Sequence, residues 1–227
     1  MDAAIPLRPD AILGVLFDMD GLLLDTERLY TAAFEQACAE HSWEMRHDVW
    51  ARCVGTTDER SQEILRAGFG PDFPLKEVRV RFAEIASELH SKSLRPMPGA
   101  VALLTKLREW RMPIGLVTST NRVGAGIKIR RCGLDKYFTA RVCGGEVRQG
   151  KPSPDPFVLG ARLLGLAPAN TLVLEDSNNG VRAGVSAGAQ VIQIPDTVEP
   201  DPNIVALGHT IHSSLQQTLE VLSASMI

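Results

Sequence analysis

The sequence predicts an α/β protein: a doubly wound parallel sheet with a small helical domain inserted after its first strand. Three observations carry this. Short apolar runs of strand type recur along the chain, and helical periodicities separate them. The first run ends abruptly in two aspartates and a glycine, Asp18-Met19-Asp20-Gly21. The span from Asp25 to Pro98 is too long for a connection between strand and helix, yet holds no strand-like run.

The elements follow in order. Ile12–Phe17 reads as a strand buried on both faces. Leu29, Ala33, Phe34, Ala37 and Cys38, then Ile64 and Leu65, then Val78, Phe82, Ile85 and Leu89 form amphipathic helical patterns. Pro96, Pro98 and Gly99 mark the return to the sheet. Val101, Leu104, Leu107 and Trp110 share a helical face before a second strand, Ile114–Val117. Gly133 closes a helix containing Ile127 and Ile129. Thr139–Cys143, Thr171–Leu174 and Val191–Ile194 read as further strands, with Phe157, Ala161 and Leu164 on the helix before Thr171. Pro195 to Asn203 reads as a surface loop.

Composition narrows the function. The chain has 227 residues, 44% hydrophobic and 22% charged, with a formal net charge of −3. That balance gives no electrostatic case for nucleic acid or an anionic membrane. No apolar run approaches a membrane span, and Met1–Pro6 lacks the basic and apolar regions of a secretory signal. Cys38, Cys53, Cys132 and Cys143 show no metal or disulfide spacing, so reduced thiols and a cytoplasmic setting are expected. The five histidines form no ligand motif.

Polar residues gather where strands end, and in open α/β sheets ligands bind beyond those ends. Asp18 and Asp20 point to one side by strand alternation. Two close carboxylates imply a cation or an acid/base couple, though the same run also suits a turn capping the next helix. Thr118-Ser119-Thr120-Asn121 offers an oxyanion niche or a helix cap. Lys151, fixed by Pro152, suits a phosphate as a point charge, or solvent. Glu175-Asp176 again places two acids at a strand tip. Taken together, Asp18 and Asp176 suit a hard cation such as Mg²⁺, and Thr118 and Lys151 suit the oxygens of a transferring phosphoryl group.

In order and wording these segments resemble the haloacid dehalogenase superfamily, in the subgroup with a helical cap after the first motif. Asp18-Met19-Asp20-Gly21-Leu22-Leu23-Leu24-Asp25-Thr26-Glu27, Val117-Thr118-Ser119, Lys151-Pro152-Ser153-Pro154-Asp155 and Glu175-Asp176-Ser177 are similar to its four motifs. The resemblance implies a Rossmann-like core of residues 1–25 and 97–227 and a cap of residues 26–96. It implies a Mg²⁺-dependent phosphatase in which Asp18 is the nucleophile and Asp20 the general acid and base. Mg²⁺ would bind the Asp18 carboxylate, the Asp20 main-chain carbonyl and Asp176, with Glu175 behind them. Thr118, Ser119 and Lys151 would hold the phosphate. Gly55, Thr56, Thr57 and Arg60 in the cap, with Asn121 and Arg122, are candidates for substrate recognition.

Dehalogenating members lack an acid at the position of Asp20, which argues against that reaction. β-Phosphoglucomutase-like members share the motifs but carry a histidine where Tyr30 stands, and a cap arginine near the position of Asp58. The expected substrate is a small phosphorylated metabolite, a sugar phosphate or nucleoside monophosphate, handled by a monomer or weak dimer. A phosphosugar mutase is the alternative, and a non-catalytic binding protein on the same scaffold a more remote one.

Overall fold

The structure is a computed structural model that describes residues 7–54, 56 and 58–225. Met1–Pro6, Gly55 and Thr57, each used above, lie outside the described residues.

Among the described residues the sheet has six parallel strands in the order β3-β2-β1-β4-β5-β6. They are β1 (Gly14–Phe17), β2 (Ile114–Asn121), β3 (Ala140–Gly144), β4 (Thr171–Glu175), β5 (Gln190–Gln193) and β6 (Thr210–Ile211). The order reverses between β1 and β4, which is where such sheets open a crevice. Side chains of β1 alternate between two cores. Val15 and Phe17 pack with residues of α5 (Ala100–Glu109), α6 (Arg122–Arg131) and α10 (Leu215–Ser225). Leu16 packs with residues of α7 (Asp155–Leu163), α8 (Asn178–Ser186) and α9 (Pro202–Val205). A sheet covered on both faces explains why its strands read as unbroken apolar runs.

Several expectations are corrected. β2 runs on to Asn121, past the apolar stretch, because its polar end still pairs with Gly144 of β3. β6 is too short and polar to signal itself. Val101 is 45% exposed, and α5 instead buries Ala100, Leu103, Leu104 and Leu107. The stretch from Pro195 to Asn203 is the surface loop expected as far as Asp201, with one anchored residue and the start of a short helix. Asp196 accepts from Arg28 at 2.9 Å with its side chain 3% exposed, and Pro202 opens α9.

Between β1 and α5 lie four helices, α1 (Glu27–Glu40), α2 (His47–Ala51), α3 (Asp58–Phe69) and α4 (Leu75–Ser93). They have an apolar cluster of their own around Phe34, which stacks on Trp50 at 4.4 Å between ring centroids. The chain enters and leaves this layer along neighbouring segments. Asp25 N donates to Arg95 O (3.1 Å), and Met97 N donates to Leu23 O (2.8 Å). Among the described residues no helix is long and apolar enough to cross a membrane.

Candidate active site

Four adjacent strands, β3 through β4 in the sheet order, bring the strand-end residues to one edge. Asp18 follows β1 directly, and its N–H donates to Leu174 O of β4 at 3.0 Å, so the backbone fixes where its carboxylate emerges. The chain then turns sharply: Leu23 N and Leu24 N both donate to Met19 O at 3.0 Å. Gly21 has φ +83°, and a Cβ there would collide with the Asp176 carboxylate. A glycine is what lets this turn pass so close to the end of β4.

Lys151 closes the site from the loop after β3. Its ammonium donates to Asp18 Oδ1, to Glu175 Oε1 (2.6 Å) and to Val117 O (2.9 Å). Glu175 is fully buried, and its other oxygen accepts from Ser177 N (3.0 Å) and the Ser177 hydroxyl (2.9 Å). Burial raises the Lys151 ammonium's cost, but the two carboxylates win and hold it cationic, with its pKa raised.

Three acids, Asp18, Glu175 and Asp176, place carboxylate oxygens within 4.8 Å of one another, all buried. Burial and its acidic neighbours push the Asp176 carboxyl well above the usual range, and burial also raises Asp18 despite Lys151. Asp176 Oδ1 is buried without a hydrogen-bond partner. An orphaned, repelled carboxylate oxygen beside two others is what a hard divalent cation satisfies, so this donor set fits Mg²⁺.

Asp20 lines the same cleft in a different environment. The Thr120 hydroxyl donates to its Oδ2 (2.7 Å) and Lys128 Nζ to its Oδ1 (2.5 Å). Burial opposes its charge, but Lys128 and these hydrogen bonds hold its pKa below the usual carboxylate range. Two carboxylates in one cleft with opposite surroundings can divide roles, one reacting and one exchanging protons.

The cleft has a volume of 390 Å³, within the range of small-molecule sites. Its floor includes Thr118 and Ser119; its opposite wall comes from α1 to α4 through Tyr30, Phe34, Trp50 and Phe82. Thr56 reaches the cleft, with its hydroxyl donating to Cys53 O at 2.7 Å. Asn121 also borders it, while its side chain caps α6 by accepting from Gly124 N at 3.0 Å. Arg60 and Arg122 do not line it: Arg60 pairs with Glu63 (2.6 Å) and Arg122 with Glu146 (2.8 Å). Glu146 also accepts from Cys143 N at 3.0 Å, which ties the loop after β3 back to that strand.

Sequence reasoning missed Lys128 and Arg79, and it named Thr120 and Glu27 only within longer motifs, with no role of their own. Glu27 lies in the cleft, where burial and then Asp20 push its carboxyl up to about 8. Arg79 of α4 lines the cleft while gripping both Asp58 oxygens at 2.6 and 2.7 Å. A signal for Lys128 existed. It occupies the inward stripe of α6 with Ala125 and Ile129, where a lysine must find a buried partner.

The sequence profile of haloacid dehalogenase-like hydrolases matches residues 15–194. A phosphorylated carbohydrates phosphatase of Thermotoga maritima is 33% identical over 178 residues, 78% of this chain and 82% of that protein. Hexitol phosphatase A of Escherichia coli is 33% identical over 215 residues, 91% of this chain and 93% of its own length. The crystal structure of a β-phosphoglucomutase from Clostridium difficile shares the fold, with a TM-score of 0.77 and 19% identity over 94% of this chain and 96% of that one. The profile match runs from Val15 in β1 through the end of β5 and includes each strand-end acid, and on that ground the chain belongs to the haloacid dehalogenase-like hydrolase family.

Proposed function

We propose that the chain is a Mg²⁺-dependent phosphatase acting on small phosphomonoesters, sugar phosphates or nucleoside monophosphates, through an aspartyl-phosphate at Asp18. Its broader class, phosphoric monoester hydrolase, follows from the family and from relatives named as phosphatases. One observation carries the finer reading. Asp18 sits among acids and Lys151, while Asp20 is separately held by Thr120 and Lys128 in the same cleft.

In the proposed reaction an Asp18 oxygen attacks phosphorus, and the bond from phosphorus to the ester oxygen breaks. The leaving oxygen keeps that electron pair and takes a proton from Asp20, which its surroundings hold ionised at rest and which is therefore loaded with a proton from solvent before this step. Water then attacks the aspartyl-phosphate and gives its proton to Asp20, freeing inorganic phosphate and the Asp18 carboxylate. Thr118, Ser119 and Lys151 would hold the phosphoryl oxygens. Asp18, Asp176 and the Asp20 main-chain carbonyl would hold Mg²⁺, with Glu175 behind them. Bound there, the ion neutralises charge on the phosphate and sets the acids at ease with one another.

Residues 26–96 are assigned as a cap over a core of residues 1–25 and 97–227. The separate apolar cluster around Phe34 and the paired connections at Asp25 and Met97 support this. The unpaired Cys38, Cys53, Cys132 and Cys143 support a cytoplasmic setting.

The test is phosphate release from a panel of phosphorylated sugars, polyols and nucleosides with Mg²⁺ present. Release from several monoesters at comparable kcat/KM is expected, with only traces of glucose 6-phosphate formed from β-glucose 1-phosphate. Isomerisation much faster than phosphate release would instead make it a mutase.

A further inference from the structure

Lys128 belongs to no phosphate-binding motif, yet it is 6% exposed and stands behind Asp20 rather than on the cleft wall. Its Nζ donates to Asp20 Oδ1 at 2.5 Å and reaches Thr120 Oγ1 at 3.4 Å, while Thr120 donates to Asp20 Oδ2 at 2.7 Å. Each carboxylate oxygen of Asp20 thus has its own donor, one from α6 and one from β2. A carboxylate held at one oxygen can still swing about its terminal torsion; held at both, it has one orientation.

The same ammonium lies 5.0 Å from the centroid of the Tyr30 ring. Tyr30 belongs to α1 and packs edge-on against His90 of α4, at 4.9 Å between centroids. A single buried cation therefore touches the carboxylate of the sheet edge and the aromatic face of the helical layer. Such a cation is attracted to both, electrostatically and with little competition from water.

We propose that Lys128 is a positioning residue: it fixes the orientation of Asp20 and, through Tyr30, ties that orientation to the placement of α1 over the cleft. Lys128 secures Oδ1. Oδ2, which accepts from the neutral Thr120 hydroxyl rather than from a cation, is the oxygen left to exchange a proton with the ester oxygen. The inference rests on the reading of Asp20 as general acid and base.

The experiment compares two esters. The p-nitrophenolate group leaves without a proton, whereas the alkoxide of a sugar phosphate needs one. For Lys128→Met, kcat/KM for the sugar phosphate should fall roughly a hundredfold. The p-nitrophenyl phosphate value should stay within about fivefold, because kcat/KM reports only formation of the aspartyl-phosphate, even where its slower breakdown lowers kcat and KM together. Lys128→Arg should recover most of the sugar phosphate activity. Equal losses on both esters, or an unchanged sugar phosphate value, would overturn the proposal. Should Lys128→Met lose its native circular-dichroism signal, Lys128→Gln, a neutral donor of shorter reach, is judged by the same criteria. Asp20→Asn separates the two claims. Leaving-group-selective loss there, with none at Lys128, overturns the positioning role alone; no selective loss at Asp20 removes the acid/base reading beneath it.

Discussion

Lys151 Nζ lies 2.6 Å from Glu175 Oε1, and both side chains are shut away from solvent, at 3% and 0% exposure. This pair locks the loop after β3 to the end of β4 and places an ammonium beside Asp18. A buried ion pair is seldom a net source of stability, but removing one partner strands the other.

Lys151→Met should therefore destabilise the metal-free protein by about 3–5 kcal/mol, because Glu175 and Asp18 lose their shared cation. Urea unfolding in the presence of a chelator measures it. Adding Mg²⁺ should restore part of the loss, since a divalent ion can replace the missing charge. A chelated variant within about 1 kcal/mol of wild type would show that the pair does not hold this corner together.

Mg²⁺ itself should stabilise the wild type. Saturation to a hundred times the dissociation constant is worth about 2.7 kcal/mol, or a Tm rise of roughly 5–10 °C for a chain of this size. Asp176→Asn should abolish most of that rise. It should also be at least as stable as wild type in chelator at pH 7.5. An acid whose folded pKa lies above its unfolded one is a cost once pH exceeds the unfolded value. A full Mg²⁺ response in Asp176→Asn would rule out this donor set.

Gly180 opens α8 directly against Glu175, and a Cβ there would overlap the Glu175 carboxylate. Gly180→Ala should cost about 3 kcal/mol or more in urea unfolding, although alanine normally favours a helix. A neutral or stabilising result would mean that Glu175 can move aside.

The main features of the sheet were legible because a doubly covered sheet imposes continuous apolar strands. Val15, Leu16 and Phe17 announce themselves that way, and Asp18 marks where burial stops. Thr210–Ile211 stayed hidden because a two-residue edge strand needs no apolar run. Val101 misled because its spacing matches one helical face, whereas Leu103 and Leu104 are buried together on another. The strand-end acids were legible from sequence spacing; the stripe that Lys128 shares with Ala125 and Ile129 signals a buried lysine but not its partner, 108 residues away. Arg79 and Asp58, 21 residues apart, are joined only once α3 and α4 pack. Contacts of this kind belong to tertiary structure, and no local pattern records them.

His90 offers a test by pH. Burial, then the nearby Lys128 charge, lowers its pKa to about 4 from an ordinary 6.5, against a smaller pull from Asp20. The folded state thus prefers the neutral ring. Its contribution is fully present above pH 6.5 and is lost as pH falls from 6.5 towards 4. Between pH 7 and 5 the wild type should lose about 1 kcal/mol more than His90→Gln, after discounting for the ring's partial exposure. Equal losses in urea unfolding at the two pH values would contradict this.

The central claim is that Asp18 carries the phosphoryl group. Phosphate release from p-nitrophenyl phosphate by purified, folded Asp18→Asn, with Mg²⁺ saturating, tests it most directly. An amide cannot form the acyl-phosphate, so turnover should fall at least roughly a thousandfold while the circular-dichroism spectrum and Tm stay native-like. A folded Asp18→Asn enzyme that retains activity within about tenfold of wild type would contradict the account.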